Sequence, residues 1–261
     1  MKQKIYTSSL TREQFKRLEP LLPLAKTGGR PRTVEMFEII NAILYVLRNA
    51  CVWRDLPNDL PKWQTVYSYF KRFERSGLWN AINRILVRKV RKVSGRDPEP
   101  SAAIIDAQTV RTTPQGGLRG YDGGKKTVGR KRHILVDSMG LLLLIVVTAA
   151  NIQDRDGAKL VFEQARVRFP RLKLIWADGG YAGQLLEWVK TLCCFILEIV
   201  KRSDDMTGFV VLPRRWVVER SFAWLTRCRR LTRDFEGLPS TTESWAYLAN
   251  IQLILRRFDT L

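Results

Sequence analysis

Three acids, Asp106, Asp178 and Glu219, stand where a carboxylate is chemically conspicuous. Glu219 lies within Arg214–Leu225, where Val218, Phe222 and Leu225 recur at i, i+4 and i+7 and Val217, Ser221 and Trp224 flank them. That is the period of a helix with one buried stripe, and Pro213 precedes it at a position a helix start tolerates. Glu219 falls at the stripe's edge among Arg214, Arg215 and Arg220, and by itself it reads as an ion-paired helix glutamate. The aspartates end apolar strands, Ala102–Ile105 before Asp106 and the alternating Leu172–Ala177 before Asp178. Strand parity puts Asp106 on the side of Ile104, and Asp178 on the side of Leu174 and Trp176. An ionised carboxylate is costly there unless a cation or hydrogen bonds compensate it. A lone strand-end aspartate is a common turn residue, whereas two such strands and a late helix each bearing an acid suggest a shared site.

The residues around these acids carry a resemblance. Asp106 in Ile-Asp-Ala-Gln-Thr-Val, Asp178 in Trp-Ala-Asp-Gly-Gly-Tyr and Glu219 in Arg-Trp-Val-Val-Glu-Arg-Ser-Phe resemble the catalytic triad of bacterial insertion-sequence DDE transposases. The branch resembled has its glutamate in a Tyr-x2-Arg-x3-Glu-x6-Lys signature. Arg215 and Glu219 match it, while Leu212 and Thr226 stand at the Tyr and Lys positions, with Arg227 one residue on as a substitute for the lysine. The resemblance runs over essentially the whole chain. It implies a ribonuclease-H-like catalytic domain, two Mg²⁺ ions (replaceable by Mn²⁺) held by Asp106, Asp178 and Glu219, cleavage at DNA ends and strand transfer without a covalent protein–DNA intermediate. It also implies double-stranded DNA as partner, at the terminal inverted repeats and the target, and a homodimer or larger assembly that pairs both ends.

Composition agrees. The chain has 261 residues with 45% hydrophobic content and a formal charge of +20, so it can build a core and suits a polyanion partner. The longest apolar run, Leu141–Val147, is too short to span a bilayer, and no signal peptide opens the chain. A bacterial cytoplasmic, nucleoid-associated protein is expected. Cys51, Cys193, Cys194 and Cys228 with the single His133 do not make a zinc pattern and read as reduced thiols, mostly buried.

Residues 1–93 are expected to form an all-α, helix-turn-helix-like DNA-binding domain, 94–101 a linker, and 102–261 the catalytic domain, a mixed sheet flanked by helices. Thr11–Gln14 has capping-box form, and Thr33 is expected to cap the helix carrying Phe37, Ile40, Ile43, Leu44 and Leu47. The basic stretch with Arg30 and Arg32 reads either as an arm following DNA or as a solvated linker. After a turn bearing Pro57 and Pro61, Lys62–Arg75 turns Val66, Tyr69, Phe70 and Phe73 inward and Lys62, Gln64, Thr65, Ser68, Lys71, Arg72 and Arg75 outward, which suits a recognition helix. A following helix carries Arg84, Arg88, Lys89, Arg91 and Lys92 toward a phosphate backbone.

In the second part a basic loop, Arg111–Gly129 with Lys125 and Lys126, is expected to hold DNA over the site without the spacing of a P-loop. Arg130 and Arg132, on the next strand, complete the expected DNA contacts with Arg215 and Arg227. Asp137 reads as turn chemistry, Asp154 and Asp156 as helix caps, and His133 as structural or DNA-contacting. Only positions 179–218 separate Asp178 from Glu219, which leaves no room for a large insertion domain. Two other functions stay open: a ribonuclease-H-like nuclease that cuts without joining, and a DNA-binding regulator without catalysis.

Overall fold

A sheet built outward from one strand organises the second half of the chain. The computed structural model of the protein describes residues 6–25, 32–200 and 214–260. Strand β1 (Ala102–Arg111) pairs antiparallel with β3 (Thr127–Asp137) on one side and parallel with β5 (Leu174–Ala177) on the other. Beyond them, β4 (Leu142–Ala149) pairs antiparallel with β3 and β6 (Ile196–Ile199) pairs parallel with β5. The order β4-β3-β1-β5-β6 is the ribonuclease-H-like arrangement expected. The stretch expected to be a loop over 111–129 is partly a hairpin, because β2 (Gly120–Asp122) pairs with Thr127–Gly129 and leaves Lys125 and Lys126 exposed at its tip.

Helices α5 (Asp154–Arg168) and α6 (Gln184–Leu192) follow the sheet strands, with α5 against β3 and β4. On the opposite face α7 (Trp216–Thr226) lies against β1 and β3, and α8 (Pro239–Arg257) against β4. The side chains of α8 also close the sheet's outer edge. Asn250 Oδ1, Tyr247 Oη and Glu243 Oε1 accept the N–H groups of Leu142, Ile145 and Val147. Residues 243, 247 and 250 share one helix face, so the stripe satisfies backbone donors that an edge strand would otherwise leave open.

The front of the chain is helical: α1 (Arg12–Leu18), α2 (Met36–Asn49), α3 (Trp63–Arg75) and α4 (Leu78–Val93). The capping box forms, with Thr11 Oγ1 accepting from Gln14 N and Gln14 Oε1 accepting from Thr11 N. Thr33 does not cap α2, which begins at Met36 after Glu35; the Glu35 carboxylate pairs with Arg12 instead.

The front helices and the sheet share one apolar core. Helix α8 is buried nearly all round, and among its buried polar side chains Gln252 donates to the Ser8 carbonyl and Thr242 to Asp234. Its Trp245 stacks on Phe70 of α3 with ring centroids 4.2 Å apart. Asn250 Nδ2 donates to Asn83 Oδ1, and Asn83 Nδ2 donates to the Leu142 carbonyl, joining α8, α4 and β4. The 94–101 segment therefore joins two parts that remain packed together.

Arg91 departs from the basic stripe expected on α4. Its guanidinium is buried and paired with the fully buried Asp137 carboxylate. Asp137 is the turn residue expected, since Oδ1 accepts from Met139 N and Leu141 N.

Candidate active site

Each acid reaches the site by a different local device. Asp106 lies mid-strand on β1, where Oδ1 accepts from Ala107 N. Ala102 pairs with Leu174 and Ile104 with Trp176, so the same register carried two residues further sets Asp106 beside Asp178 on one face. Asp178 immediately follows β5 and caps the next turn, its Oδ1 accepting from Gly180 N as the chain turns away. Glu219 comes from α7, whose buried stripe is Val217, Val218, Ser221, Phe222 and Leu225, as the helical period required.

The β3–β4 turn locates α7. Ser221 Oγ donates to the Gly140 carbonyl and Arg220 Nη2 to that of Met139. Gly140 has φ 82°, and a Cβ there would stand 3.0 Å from Ser221 Oγ and from the Trp224 ring, so the turn needs glycine for both conformation and close approach. The segment after α7 is pinned from below. Arg130 Nη1 pairs with Asp234 at 3.1 Å and donates to the Glu236 carbonyl, and Arg132 Nη1 donates to the Leu231 carbonyl.

Arg215 connects two of the acids. Its Nη2 lies 3.5 Å from Asp178 Oδ2 and 3.8 Å from Glu219 Oε1. Both distances end on one nitrogen, so the two oxygens are no farther apart than those lengths laid end to end. Burial, followed by the neighbouring Asp178 charge, pushes the Asp106 carboxyl up from 3.8 to about 6; the Ala107 N–H and Arg215 oppose the rise. Tyr181 is fully buried nearby with no hydrogen-bond partner for its hydroxyl. Burial and the charges of Asp106, Asp154 and Asp178 push that hydroxyl well above its usual range.

This donor set is all oxygen and anionic, the type that suits Mg²⁺ or Mn²⁺. Among the described residues no three His, Cys, Asp or Glu side chains already form a metal-ligand group. Asp178 and Glu219 converge on one cation, the Arg215 guanidinium, in an arrangement more open than a closed coordination shell.

The family model described as "Transposase DDE domain" matches residues 97–253. The chain belongs to the DDE transposase family. A second model, described as "Putative transposase of IS4/5 family", matches residues 10–83, so both parts of this transposase carry transposase signatures. The chain is 31% identical over 115 residues to "Putative transposase for insertion sequence element IS402" of Burkholderia cepacia. That match covers 41% of this chain and 54% of the relative, so the chain spans about half the length of that curated relative. It is 28% identical over 106 residues to "Insertion element IS402 uncharacterized 16.2 kDa protein" of the same organism, covering 38% of this chain and 70% of the relative. Among solved structures, a Mos1 mariner paired-end complex with Mn and a Mos1 strand transfer complex align over 94% of the chain. They cover 84% and 82% of those chains at 12% identity, with TM-scores of 0.32 and 0.31.

The transposase separates the expected DNA contacts into groups. Lys62, Gln64, Arg72 and Arg75 on and before α3 are exposed, Thr65 is half-buried, and Arg32, Lys125, Lys126 and Arg227 are exposed. Lys71 is held by Glu74 of its own helix. Arg130 and Arg132 are corrected: both are buried, because β3 is an inner strand between β1 and β4, and their guanidinium groups bind backbone carbonyls. Arg215 faces the acids. Arg30 and Leu212 lie outside the described residues. Thr226 Oγ1 donates to the Ala223 carbonyl.

His133 is structural. It is buried against Gly157, bonds Thr148 Oγ1 through Nε2 at 3.0 Å, and is pushed down to about 4 by burial. Asp154 and Asp156 occupy the first turn of α5 without capping it; Gln153 is the N-cap, and Asp154 pairs with Lys131 at 2.9 Å. Sequence reasoning did not reach Asp154 and Tyr181 as neighbours of the site. A Tyr three residues after Asp178 was the available signal, whereas Asp154 approaches only through α5 packing. Among the described residues no helix is long and apolar enough to cross a membrane.

Proposed function

We propose that this transposase binds the terminal inverted repeats of an insertion sequence, cleaves the DNA ends in a divalent-metal-dependent reaction and joins them to target DNA. The observation carrying this reading is the convergence of Asp178 and Glu219 on Arg215, with half-buried Asp106 set beside Asp178 by the β1–β5 register. Asp106, Asp178 and Glu219 would together hold the divalent metal, their carboxylate oxygens being the hard donors it prefers. Bound Mg²⁺ or Mn²⁺ would supply relief of charge on the scissile phosphate and an activated oxygen nucleophile. The Ala107 N–H donates to the Asp106 carboxylate and orients it.

Arg215 offsets part of the charge of Asp178 and Glu219 in the metal-free chain. Once released from them, it would pair with a DNA phosphate. The exposed side of α3, with Lys62, Gln64, Arg72 and Arg75, would bind duplex DNA. Phosphate contacts would supply much of the affinity and base edges the sequence preference. Two or more copies would pair the element's ends.

The test uses DNA carrying the inverted repeats that flank the coding region, intact or pre-cleaved, with a plasmid target and Mg²⁺ or Mn²⁺. The expected result is cleavage of intact ends and joining of pre-cleaved ends. Asp106→Asn, Asp178→Asn and Glu219→Gln should each abolish both while leaving end binding nearly intact. Cutting without joined product would support a nuclease, and metal-independent binding without cutting would support a regulator. Activity retained by any one variant removes that residue from the triad.

A further inference from the structure

Helices α5 and α6 begin at the sheet edge where β5 ends, and a cavity of about 300 Å³ opens between their first turns. Its lining includes Gln153, Arg155, Asp156, Lys159, Gln184 and Trp188. The cavity lies one short connection from an acid of the site: Asp178 leads through Gly179–Tyr181 and Ala182 into α6, and Arg155 Nη1 reaches the Ala182 carbonyl of that connection at 3.5 Å. In open α/β sheets the carboxyl ends of parallel strands are where ligands bind.

The polar groups favour an anion with a flat apolar part. Arg155 is exposed and only loosely engaged, with Nη2 3.3 Å from Gln153 Oε1 and Nη1 3.5 Å from the Ala182 carbonyl. Lys159 Nζ is 3.1 Å from Asp156, so one cation is balanced and the Arg155 charge remains in excess. Trp188 is half-buried and offers a ring to the cavity. A volume of this size is far too small for duplex DNA, whose major groove alone is about 12 Å wide. Phosphate beside Arg155 with a base against Trp188 is the pattern by which single strands are held.

We propose that this cavity binds an unpaired nucleotide of the DNA strand adjoining the scissile phosphate. The assignment rests on the transposase reading for its physiological strand, but binding itself needs neither metal nor cleavage. Such a site would favour ends whose strands have separated near the reacting bond, because a paired nucleotide cannot enter.

The test uses the full chain with Glu219→Gln, in chelator, and a short hairpin duplex that is either blunt or carries an unpaired tail of a few nucleotides. Fluorescence anisotropy should show tighter binding of the tailed probe. Trp188→Ala should remove that preference by roughly 5- to 150-fold, and Trp188→Phe should retain most of it. Arg155→Gln, on an exposed side chain that leaves packing intact, should reduce the preference roughly tenfold, while blunt-duplex binding stays unchanged. If Trp188→Ala does not fold, Arg155→Gln decides the question alone. A tail that adds nothing, or a preference that survives Arg155→Gln, overturns the proposal. Failure of the metal-dependent cutting assay with the tail preference intact would sink the catalytic reading while leaving this site standing.

Discussion

Asp106→Asn separates what the site costs the fold from what it does in catalysis. Burial, with help from Asp178, raises the Asp106 carboxyl from 3.8 to about 6. At about 1.4 kcal/mol for each tenfold change in proton affinity, the ionised carboxylate costs the metal-free fold up to about 3 kcal/mol. The folded state holds this proton more tightly than the unfolded chain, so stability falls as pH rises from about 4 through about 6 and stays reduced above that. Asparagine does not titrate. In chelator, Asp106→Asn should therefore match the wild type near pH 4 and exceed it by up to about 3 kcal/mol at pH 8. Urea unfolding at the two pH values measures the difference. Adding Mn²⁺ at pH 8 should narrow the gap, because an ion bound only by the folded wild type stabilises it by mass action. No gain at pH 8, or an equal gain at both pH values, refutes this account of the carboxylate.

Arg91→Ala should lower stability by about 3–5 kcal/mol in thermal unfolding, because it leaves the buried Asp137 carboxylate unpaired; a loss under about 1 kcal/mol would mean that the turn's own N–H donors suffice. Gly157→Ala would place a Cβ 2.1 Å from the His133 ring and should cost about 1–3 kcal/mol. The same change in a His133→Ala background should cost much less, and equal losses would show that the ring is not the obstacle. Replacing Lys62, Arg72 and Arg75 with Ala should weaken duplex binding and flatten its salt dependence by about 0.9 in log–log slope for each phosphate no longer neutralised. An unchanged slope would place the DNA on another surface.

The residues legible in advance were those whose chemistry follows from local pattern. The period of Val218, Phe222 and Leu225 orients α7, the apolar runs ending at Asp106 and Asp178 make strands, and Thr11 with Gln14 forms its box because all of its atoms lie within one turn. Asp137 likewise declared itself as a turn. Arg130, Arg132 and Arg91 could not be assigned that way. An arginine beside other cations resembles a DNA contact until β3 proves to be an inner strand, with Asp234 the partner of Arg130 and Asp137 the partner of Arg91. The same is true of Arg215, whose place between Asp178 and Glu219 depends on β5 and α7 meeting across a long stretch of chain. Local sequence determines which side chains share a face, whereas charge compensation depends on which distant faces are packed together, and only the tertiary structure decides that.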